Sequence, residues 1–172
     1  MKKSLNSSKI TLLKAKTSDR VKPVKFNIHK HSFYLIKLMQ NEPGDFSKSN
    51  NSLKNLYRSL IRRINNNRAM IYTLENIKTG VVYGFIIADS CYPCVVSIKI
   101  FMDESYKDTE HLKSALVYLF NKLFRHNVSQ ILIKTEKNNQ KMQKILEATG
   151  FIYLGIYKDS MAYTLLKPGR KG

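Results

Sequence analysis

Three side chains near the predicted ends of strands and helices have the chemistry of a general base. Glu75 and Glu104 carry carboxylates, and His111 carries an imidazole whose ordinary pKa lies near neutrality. Such groups take a proton from an attacking nucleophile when they lie within hydrogen-bond distance of it. Nothing in the surrounding sequence favours one of the three, and each is also compatible with an ordinary surface residue. The sequence therefore gives candidates for a base and no assigned catalytic residue.

Two cysteines lie three positions apart in the run Cys91-Tyr92-Pro93-Cys94. Such a pair can form a redox couple or half of a zinc site. A redox pair usually opens a helix, whereas this one joins two predicted strands. A zinc site would need two more ligands, and His29 with His31 is the only other close pair. We therefore predict two thiols in a tight turn and no metal site.

Positive charge is the strongest compositional signal, with a formal net charge of +18. Residues 1–86 carry 17 Lys and Arg against 4 Asp and Glu, whereas residues 87–172 carry 13 against 8. This excess favours polyanionic partners such as nucleic acid, tRNA or a ribosome. A bias of the coding sequence towards A and T explains the same composition without such a partner, since Asn, Ile and Tyr are plentiful as well.

A row of basic side chains accompanies a predicted amphipathic helix. Apolar residues recur with helical spacing at Leu53, Leu56, Tyr57, Leu60, Ile61 and Ile64. The opposite face carries Lys54, Arg58 and Arg62 in one row, with Arg63 and Arg68 nearby. Guanidinium groups one turn apart can contact successive backbone phosphates, which makes these five residues candidates for a nucleic-acid site. A solvated helix face is the alternative interpretation.

The elements that position these side chains follow from hydrophobic periodicity. The first half is predicted to contain a strand at Lys9–Lys16, a basic connection through Lys22, Pro23 and Lys25, a helix at Ile28–Gln40, the helix just described, and strands at Arg68–Glu75, Val81–Ala88 and Cys94–Met102. The second half is predicted to contain a helix with one apolar face formed by Leu112, Ala115, Leu116, Leu119, Phe120, Leu123 and Phe124. A strand at Met161–Leu166 closes the chain.

The segment Val128–Gly155 is the most informative part of the sequence. Ile131, Leu132 and Ile133 predict a buried strand. Asn138 and Asn139 offer capping side chains to a short helix that follows, and Gly150 stops that helix before Phe151 starts a further strand. The predicted order is therefore β, α, α, β, β, β, α, β, α, β, β.

The segment resembles the C-terminal half of the GNAT superfamily of acyl-CoA N-acyltransferases. The matching residues are Asn139, Met142, Ile145, Leu146, Glu147, Gly150 and Phe151, which fall where the subgroup acting on ribosomal-protein N-termini has N-x-x-S-x-x-V-L-E-x-x-G-F. The resemblance implies one GNAT-like α/β (α+β) domain, with a mixed, mostly antiparallel sheet of about seven strands and four helices. We place it at residues 9–167, between a flexible basic N-terminus (1–8) and a short tail (168–172).

The resemblance also implies a site for acetyl-CoA or another acyl-CoA. Family members bind it where the fourth strand splays from the fifth, which assigns cofactor contacts to Ile100, Met102, Lys107, Thr109 and Asn139. The chain departs from the family pattern in the phosphate-binding turn, because Glu110 and Leu112 stand where two glycines belong and Asp108 suits an ordinary N-cap. Met142 replaces the subgroup serine, and Leu146 stands where many members have a tyrosine; both suit core packing.

Two functions therefore remain open. The first is acyl transfer from acyl-CoA to an amine of a macromolecular substrate. The second is a GNAT-shaped protein that binds or modifies nucleic acid through its basic first half and does not use acyl-CoA. The sequence has no secretory signal and no apolar run long enough to span a membrane, so we expect a cytoplasmic protein with no membrane partner.

Overall fold

Seven strands form one mixed sheet in the computed structural model, which describes residues 21–41, 50–103 and 109–169. The strands are β1 (Val21–Lys25), β2 (Ala69–Asn76), β3 (Val82–Tyr92), β4 (Val95–Met102), β5 (Gln130–Glu136), β6 (Ile152–Tyr157) and β7 (Ser160–Leu166). The helices are α1 (Ile28–Asn41), α2 (Asn50–Asn65), α3 (Thr109–Arg125) and α4 (Gln140–Ala148). The spatial order of the strands is β1-β2-β3-β4-β5-β7-β6, and β4 with β5 is the one parallel pair among the described strands. The predicted fold class is confirmed, and so is the predicted order of elements from α1 onward.

The first described strand, β1, lies in a segment for which the sequence predicts no strand. Val21–Lys25 was expected to be a basic connection, but it pairs antiparallel with β2 along its whole length. Pro23 is tolerated there because β1 is an outer strand, where one side of the backbone needs no partner. The expected strand at Lys9–Lys16 lies outside the described residues.

Two hydrophobic cores lie on opposite faces of the sheet. The larger core packs α3 and α4 on strands β2 to β5 and β7, and all seven apolar residues predicted for the α3 face are buried in it. The smaller core packs α1 and α2 on β2, β3 and β4, with Leu35, Leu60 and Phe85 almost completely buried. The described residues of β5, β6 and β7 contribute nothing to the smaller core, so the second helix layer covers only the first part of the sheet.

The segment after α4 forms the compact stop that the sequence predicts. Gly150 adopts a left-handed φ of +90°, which costs glycine little, and the Phe151 N–H donates to the Leu146 carbonyl at 3.0 Å. The Phe151 ring then packs edge-on against Phe120 of α3, with ring centroids 5.2 Å apart. This turn therefore fixes α4 against α3.

The two cysteines lie at the β3–β4 hairpin, where Tyr92 pairs with Val95 across Pro93 and Cys94. Cys94 has a left-handed φ of +64°, and its carbonyl accepts hydrogen bonds from the Ser129 and Gln130 amides. Both thiols are exposed and free. The prediction of two thiols in a tight turn is confirmed.

Among the residues that the structure describes, no helix is long and apolar enough to cross a membrane.

Candidate functional site

A gap opens between β4 and β5, at the place where the two halves of the sheet meet. The parallel pairing covers only Val95–Ile98 with Gln130–Ile133. Beyond it, β4 stays paired with β3 as far as Met102, and β5 stays paired with β7 as far as Glu136. Because each strand follows its longer antiparallel ladder, the right-handed twist of the sheet separates their ends. The predicted splay is therefore present.

The backbone of β4 directs polar groups into this gap. The Asp103 N–H donates to the Tyr83 carbonyl of the neighbouring segment at 2.8 Å. Backbone groups alternate in direction along an antiparallel ladder, so those of Ile100 and Met102 face away from β3, towards β5. A strand edge of this kind can pair with the amides of an extended ligand. Ile100 and Met102, two of the residues predicted to contact the cofactor, therefore present their backbone groups to the gap.

A cleft of about 170 Å³ lies between the end of β4 that β5 leaves unpaired and the helices α3 and α4. Two β4 residues, one α3 residue, the N-cap of α4 and three α4 residues line it: Ile100, Met102, Leu112, Asn139, Lys141, Met142 and Ile145. Three of the five residues predicted to contact the cofactor are therefore brought together. The sequence reasoning did not assign Leu112, Lys141 or Ile145 to the site, because their position there depends on how α3 and α4 pack against the end of β4.

Asn139 has a defined role at the rim of the cleft. Its side-chain oxygen accepts a hydrogen bond from the Met142 N–H at 3.0 Å, which caps the first turn of α4. The capping oxygen is fixed in this way, so the Nδ2 group is the polar atom that remains for a ligand. Leu146 is completely buried in the core as expected, whereas Met142 is half-buried and lines the cleft.

The remaining predicted site residues lie at the start of α3 or just before it. Glu104 and Lys107 lie outside the described residues, and so do the side chains of Thr109 and His111. Their assignments stay predictions. The same holds for Asp108 and its expected capping of α3, which begins at Thr109.

Glu75 lies away from the cleft, and its expected position as a surface residue is wrong. Its carboxylate is buried, accepts a hydrogen bond from the Lys30 ammonium and lies 3.2 Å from Nε2 of His31. Nε2 of His31 has no hydrogen-bond partner among the described residues, so its contact with Glu75 is electrostatic. Sequence reasoning missed this because Lys30 and His31 belong to α1, far away along the chain. The carboxylate is engaged in packing α1 against β2.

His31 is held in a neutral form by its surroundings. The Asn27 N–H donates to its Nδ1 at 3.0 Å, and the Thr73 hydroxyl lies 3.0 Å from the same nitrogen. A neutral ring that accepts at Nδ1 carries its proton on Nε2, the atom that faces Glu75. Burial lowers the pKa of His31 below its ordinary value, against the opposing effect of the Glu75 charge. We call His31, Lys30, Thr73 and Glu75 the Glu75 cluster.

The residues proposed for nucleic acid remain on one surface of the molecule. Lys54, Arg58 and Arg62 are exposed on α2, and Arg68 is exposed just after it. Arg63 differs, because its guanidinium forms a 2.6 Å ion pair with Asp89 of β3. Lys54 and Arg58 also line a groove of about 340 Å³ between α1 and α2, together with Ile36, Gln40, Leu53 and Tyr57.

The tyrosines of the last two strands fall into two kinds. Tyr163 is buried in the larger core, and burial raises the pKa of its phenol. Tyr153 and Tyr157 are exposed on β6.

The described residues contain no group of three or more His, Cys, Asp or Glu placed to hold a metal ion.

No protein-family model matches the sequence, and a comparison with curated proteins also finds no match. Solved structures do match. One is RimL, the ribosomal L7/L12 alpha-N-protein acetyltransferase, in complex with coenzyme A, at 16% identity and a TM-score of 0.71 over 87% of this chain and 96% of that one.

Two other matches come from Vibrio cholerae. A putative ribosomal-protein-serine acetyltransferase matches with a TM-score of 0.67 at 12% identity over 87% of this chain and 95% of that chain. A dodecameric spermidine N-acetyltransferase matches with a TM-score of 0.68 at 14% identity over 86% of this chain and 94% of that chain. At such identities the likeness concerns the fold, and the fold is that of the GNAT acetyltransferases.

Proposed function

We propose that this protein is an acyl-CoA-dependent N-acetyltransferase that modifies an amine of a macromolecule. The observation that carries the proposal is the β4–β5 gap, in which the backbone of Ile100 and Met102 faces a cleft capped by Asn139. RimL shares this fold and binds coenzyme A, which supports the same ligand here. The apolar side chains of the cleft suit the arm of the cofactor, and the strand edge suits its amides.

In such a transfer, the acceptor amine attacks the thioester carbonyl, and a carbon–nitrogen bond replaces the carbon–sulfur bond. Coenzyme A leaves as a thiolate, and the proton that the amine loses converts it to the thiol. We assign two contributions to this chain. The β4 edge aligns the thioester, and a backbone N–H in the gap polarises its carbonyl. No carboxylate or imidazole is found among the described residues that line the cleft, so we assign no base.

The charge of the chain bears on the acceptor. The structural relatives act, by their names, on a ribosomal protein or on spermidine. A formal charge of +18 repels a free polycation and attracts an acidic protein or an amine presented by a polyanion. The macromolecular acceptor is therefore the better choice, and a protein amino group is its simplest form.

Titration calorimetry with acetyl-CoA tests the proposal directly. We expect dissociation constants in the micromolar range, because a preformed gap needs little reorganisation. If about millimolar acetyl-CoA produces no heat of binding, the binding free energy is weaker than about 4 kcal/mol, and the proposal is contradicted.

A matched pair of variants links binding to the gap. Asn139→Asp keeps an oxygen that caps α4, but it removes the Nδ2 donor and adds a negative charge at the rim of the cleft. We expect acetyl-CoA affinity to fall at least tenfold. Asn138→Asp adds the same charge one residue earlier, outside the cleft lining, and serves as the control. Equal effects of the two variants would show that charge alone, and not the cleft, explains the loss.

A second candidate function is supported by the row of Lys54, Arg58 and Arg62. All three side chains are exposed, and no carboxylate of the described residues forms an ion pair with them. Unpaired cations spaced one helical turn apart suit a phosphate backbone. Under this proposal the protein binds nucleic acid through α2, with or without acetyl transfer.

The salt dependence of binding separates specific phosphate contacts from general attraction. Replacing both Arg58 and Arg62 by Gln is expected to weaken DNA or RNA binding and to lower the slope of log K against log salt by about one to two. Lys144→Gln with Lys158→Gln removes the same charge from α4 and the β6–β7 turn and is the control. A slope that is unchanged in the arginine variant would exclude phosphate contact by α2.

A further inference from the structure

The most exposed large hydrophobic residue among those that the structure describes lies on α1. Phe33 is 73% exposed, and its neighbour Tyr34 is 48% exposed. Their rings meet edge to face, with centroids 5.9 Å apart. The residues of α1 that are buried against the sheet are Leu35 and Met39, so neither ring is needed for that packing. Two adjacent aromatic rings exposed to this extent indicate a surface that contacts another molecule.

Helical geometry places Phe33 beside the groove between α1 and α2. Ile36 and Gln40 form the α1 wall of this groove, which has a volume of about 340 Å³. Phe33 lies three residues before Ile36 and therefore on the same side of the helix. The Tyr57 ring, whose hydroxyl lies 2.6 Å from the Ser32 hydroxyl, belongs to the lining of the groove. The exposed ring of Phe33 thus continues an apolar surface that begins in the groove.

The charged side chains around this surface are all positive. Neither α1 nor α2 contains an Asp or a Glu. Their six cations are Lys30, Lys37, Lys54, Arg58, Arg62 and Arg63. Two carboxylates of the described residues pair with members of this set, Glu75 with Lys30 and Asp89 with Arg63. The other four cations keep their charge available, and two of them, Lys54 and Arg58, line the groove itself.

We infer that this surface binds single-stranded nucleic acid, with a base stacked on Phe33 and the adjoining phosphates on Arg58 and Arg62. The inference rests on the second candidate function, in which α2 contacts a phosphate backbone, and it specifies the form of the ligand. Aromatic side chains next to a basic groove are the means by which proteins hold single strands. The bases of a duplex are already stacked on each other, so a duplex could use the cations but not the Phe33 ring.

The spacing of the groups agrees with a strand that crosses from α2 to α1. Arg58 and Arg62 are one helical turn apart, which is about 6 Å along the axis. Lys37 is exposed one turn after Phe33, so a cation also lies next to the stacking position. Bases and phosphates alternate along a single strand, and aromatic and basic side chains lie next to each other on this surface in the same way.

An acidic peptide is the other ligand that a basic groove can attract. An amphipathic helix of such a partner needs an apolar groove that receives anchors from successive turns. The groove here is at the lower end of the size range for small-molecule pockets, which suits one nucleoside better than a row of anchors. The most exposed ring also stands beside the groove, where a base can lie flat against it. The single strand is therefore the favoured ligand.

Fluorescence anisotropy with a labelled single strand of about twelve nucleotides, and with the duplex of the same sequence, tests the inference. Phe33→Ala is expected to weaken binding of the single strand at least about fivefold, the lower end of the effect of losing one stacked base. It should leave duplex binding unchanged, and it should leave the salt slope unchanged because no charge is removed. Tyr92→Ala removes a ring that is 71% exposed at the β3–β4 hairpin and is the control. An equal loss for single strand and duplex, or an equal loss in Tyr92→Ala, overturns the inference.

The same assay separates this inference from the function on which it rests. If replacing Arg58 and Arg62 by Gln lowers affinity and salt slope while Phe33→Ala changes nothing, α2 contacts phosphate but no base stacks on α1. If the protein binds no strand even at low salt, both proposals fail. If a polyglutamate peptide displaces the strand and loses affinity equally in Phe33→Ala, the ligand is an acidic peptide and the inference is overturned.

A fluorescence signal at the stacking position gives a second readout. The chain contains no tryptophan, so Phe33→Trp introduces a single indole at this position. Its emission is expected to be quenched as the single strand binds, with the dissociation constant that anisotropy gives, because a base then lies against the ring. Tyr92→Trp is expected to show no quenching. Absence of quenching at a saturating concentration of strand, or equal quenching in both variants, overturns the inference. Urea denaturation midpoints show whether each variant is folded.

Discussion

The two faces of the sheet are held by different kinds of interaction. Among the described residues, the α3–α4 face has twenty buried residues in its hydrophobic core, most of them aliphatic. The described part of the α1–α2 face has nine, supplemented by the buried carboxylate and imidazole of the Glu75 cluster. The basic row and the groove belong to the α1–α2 face, while the β4–β5 gap opens beside α4.

This difference indicates how the molecule divides its tasks. A dense apolar core holds α3 and α4 rigidly, which a cleft for an extended ligand requires. The smaller core depends in part on charges whose balance changes with pH. We therefore expect stability to respond differently when each face is perturbed.

The largest effect is expected from the α3–α4 core. Leu119→Ala removes a side chain with no exposure and should lower the free energy of unfolding by about 2–5 kcal/mol. Leu60→Ala, at 1% exposure in the smaller core, should fall at the lower end of this range, because more surrounding residues are half-buried. Denaturation midpoints in urea measure both. A larger cost for Leu60→Ala would reverse the comparison between the faces.

An intermediate effect is expected from the Glu75 cluster. Glu75→Gln keeps the shape of the side chain but removes the charge that faces Lys30 and His31. It should cost about 1–2 kcal/mol, the range for a buried polar group that loses its partner. Glu147→Gln changes an exposed carboxylate on α4 and should change stability by less than about 0.5 kcal/mol. Equal effects in chemical denaturation would show that the cluster adds nothing to stability.

The pH dependence of unfolding tests the same face more finely. Burial lowers the pKa of His31 in the folded protein, so below its ordinary value of 6.5 the unfolded chain binds a proton that the folded chain does not. The free energy of unfolding should therefore have its full value above about pH 6.5. It should decrease as the pH drops towards the pKa of His31 in the folded protein, by at most about 1.4 kcal/mol per pH unit. His31→Gln should remove this part of the slope. Parallel wild-type and variant curves between pH 6.5 and 5 would contradict it.

The smallest effect is expected from the basic row. Lys54→Gln or Arg62→Gln should change the free energy of unfolding by less than about 0.5 kcal/mol, because both side chains are exposed. Arg63→Gln should cost more, since it breaks the ion pair with Asp89 and leaves that half-buried carboxylate without its partner. Thermal unfolding of the three variants at equal ionic strength checks the order. If Lys54→Gln lowers the free energy of unfolding as much as Arg63→Gln does, the ion pair between Arg63 and Asp89 does not contribute to stability.

Part of the site was accessible from the sequence through the resemblance to the GNAT superfamily, which assigned Ile100, Met102 and Asn139, and all three line the cleft. Local patterns added the cap of α4, because the sequence offers Asn138 and Asn139 as capping residues and Asn139 is the one that caps. Lys141 and Ile145 became part of the cleft only through the angle between α4 and the splayed strand. That angle depends on packing, which no local pattern encodes.

The sequence by itself determined the type and order of the helices and strands from the first helix, Ile28–Asn41, onward, because apolar periodicity is a local property of the chain. It also determined the excess of positive charge in the first half. Only the tertiary structure decided that Val21–Lys25 is a strand, that Glu75 is buried beside His31, and that β4 parts from β5 after Ile98. Each of these depends on a partner far away in sequence, and pairing and desolvation across such distances are decided when the whole chain packs.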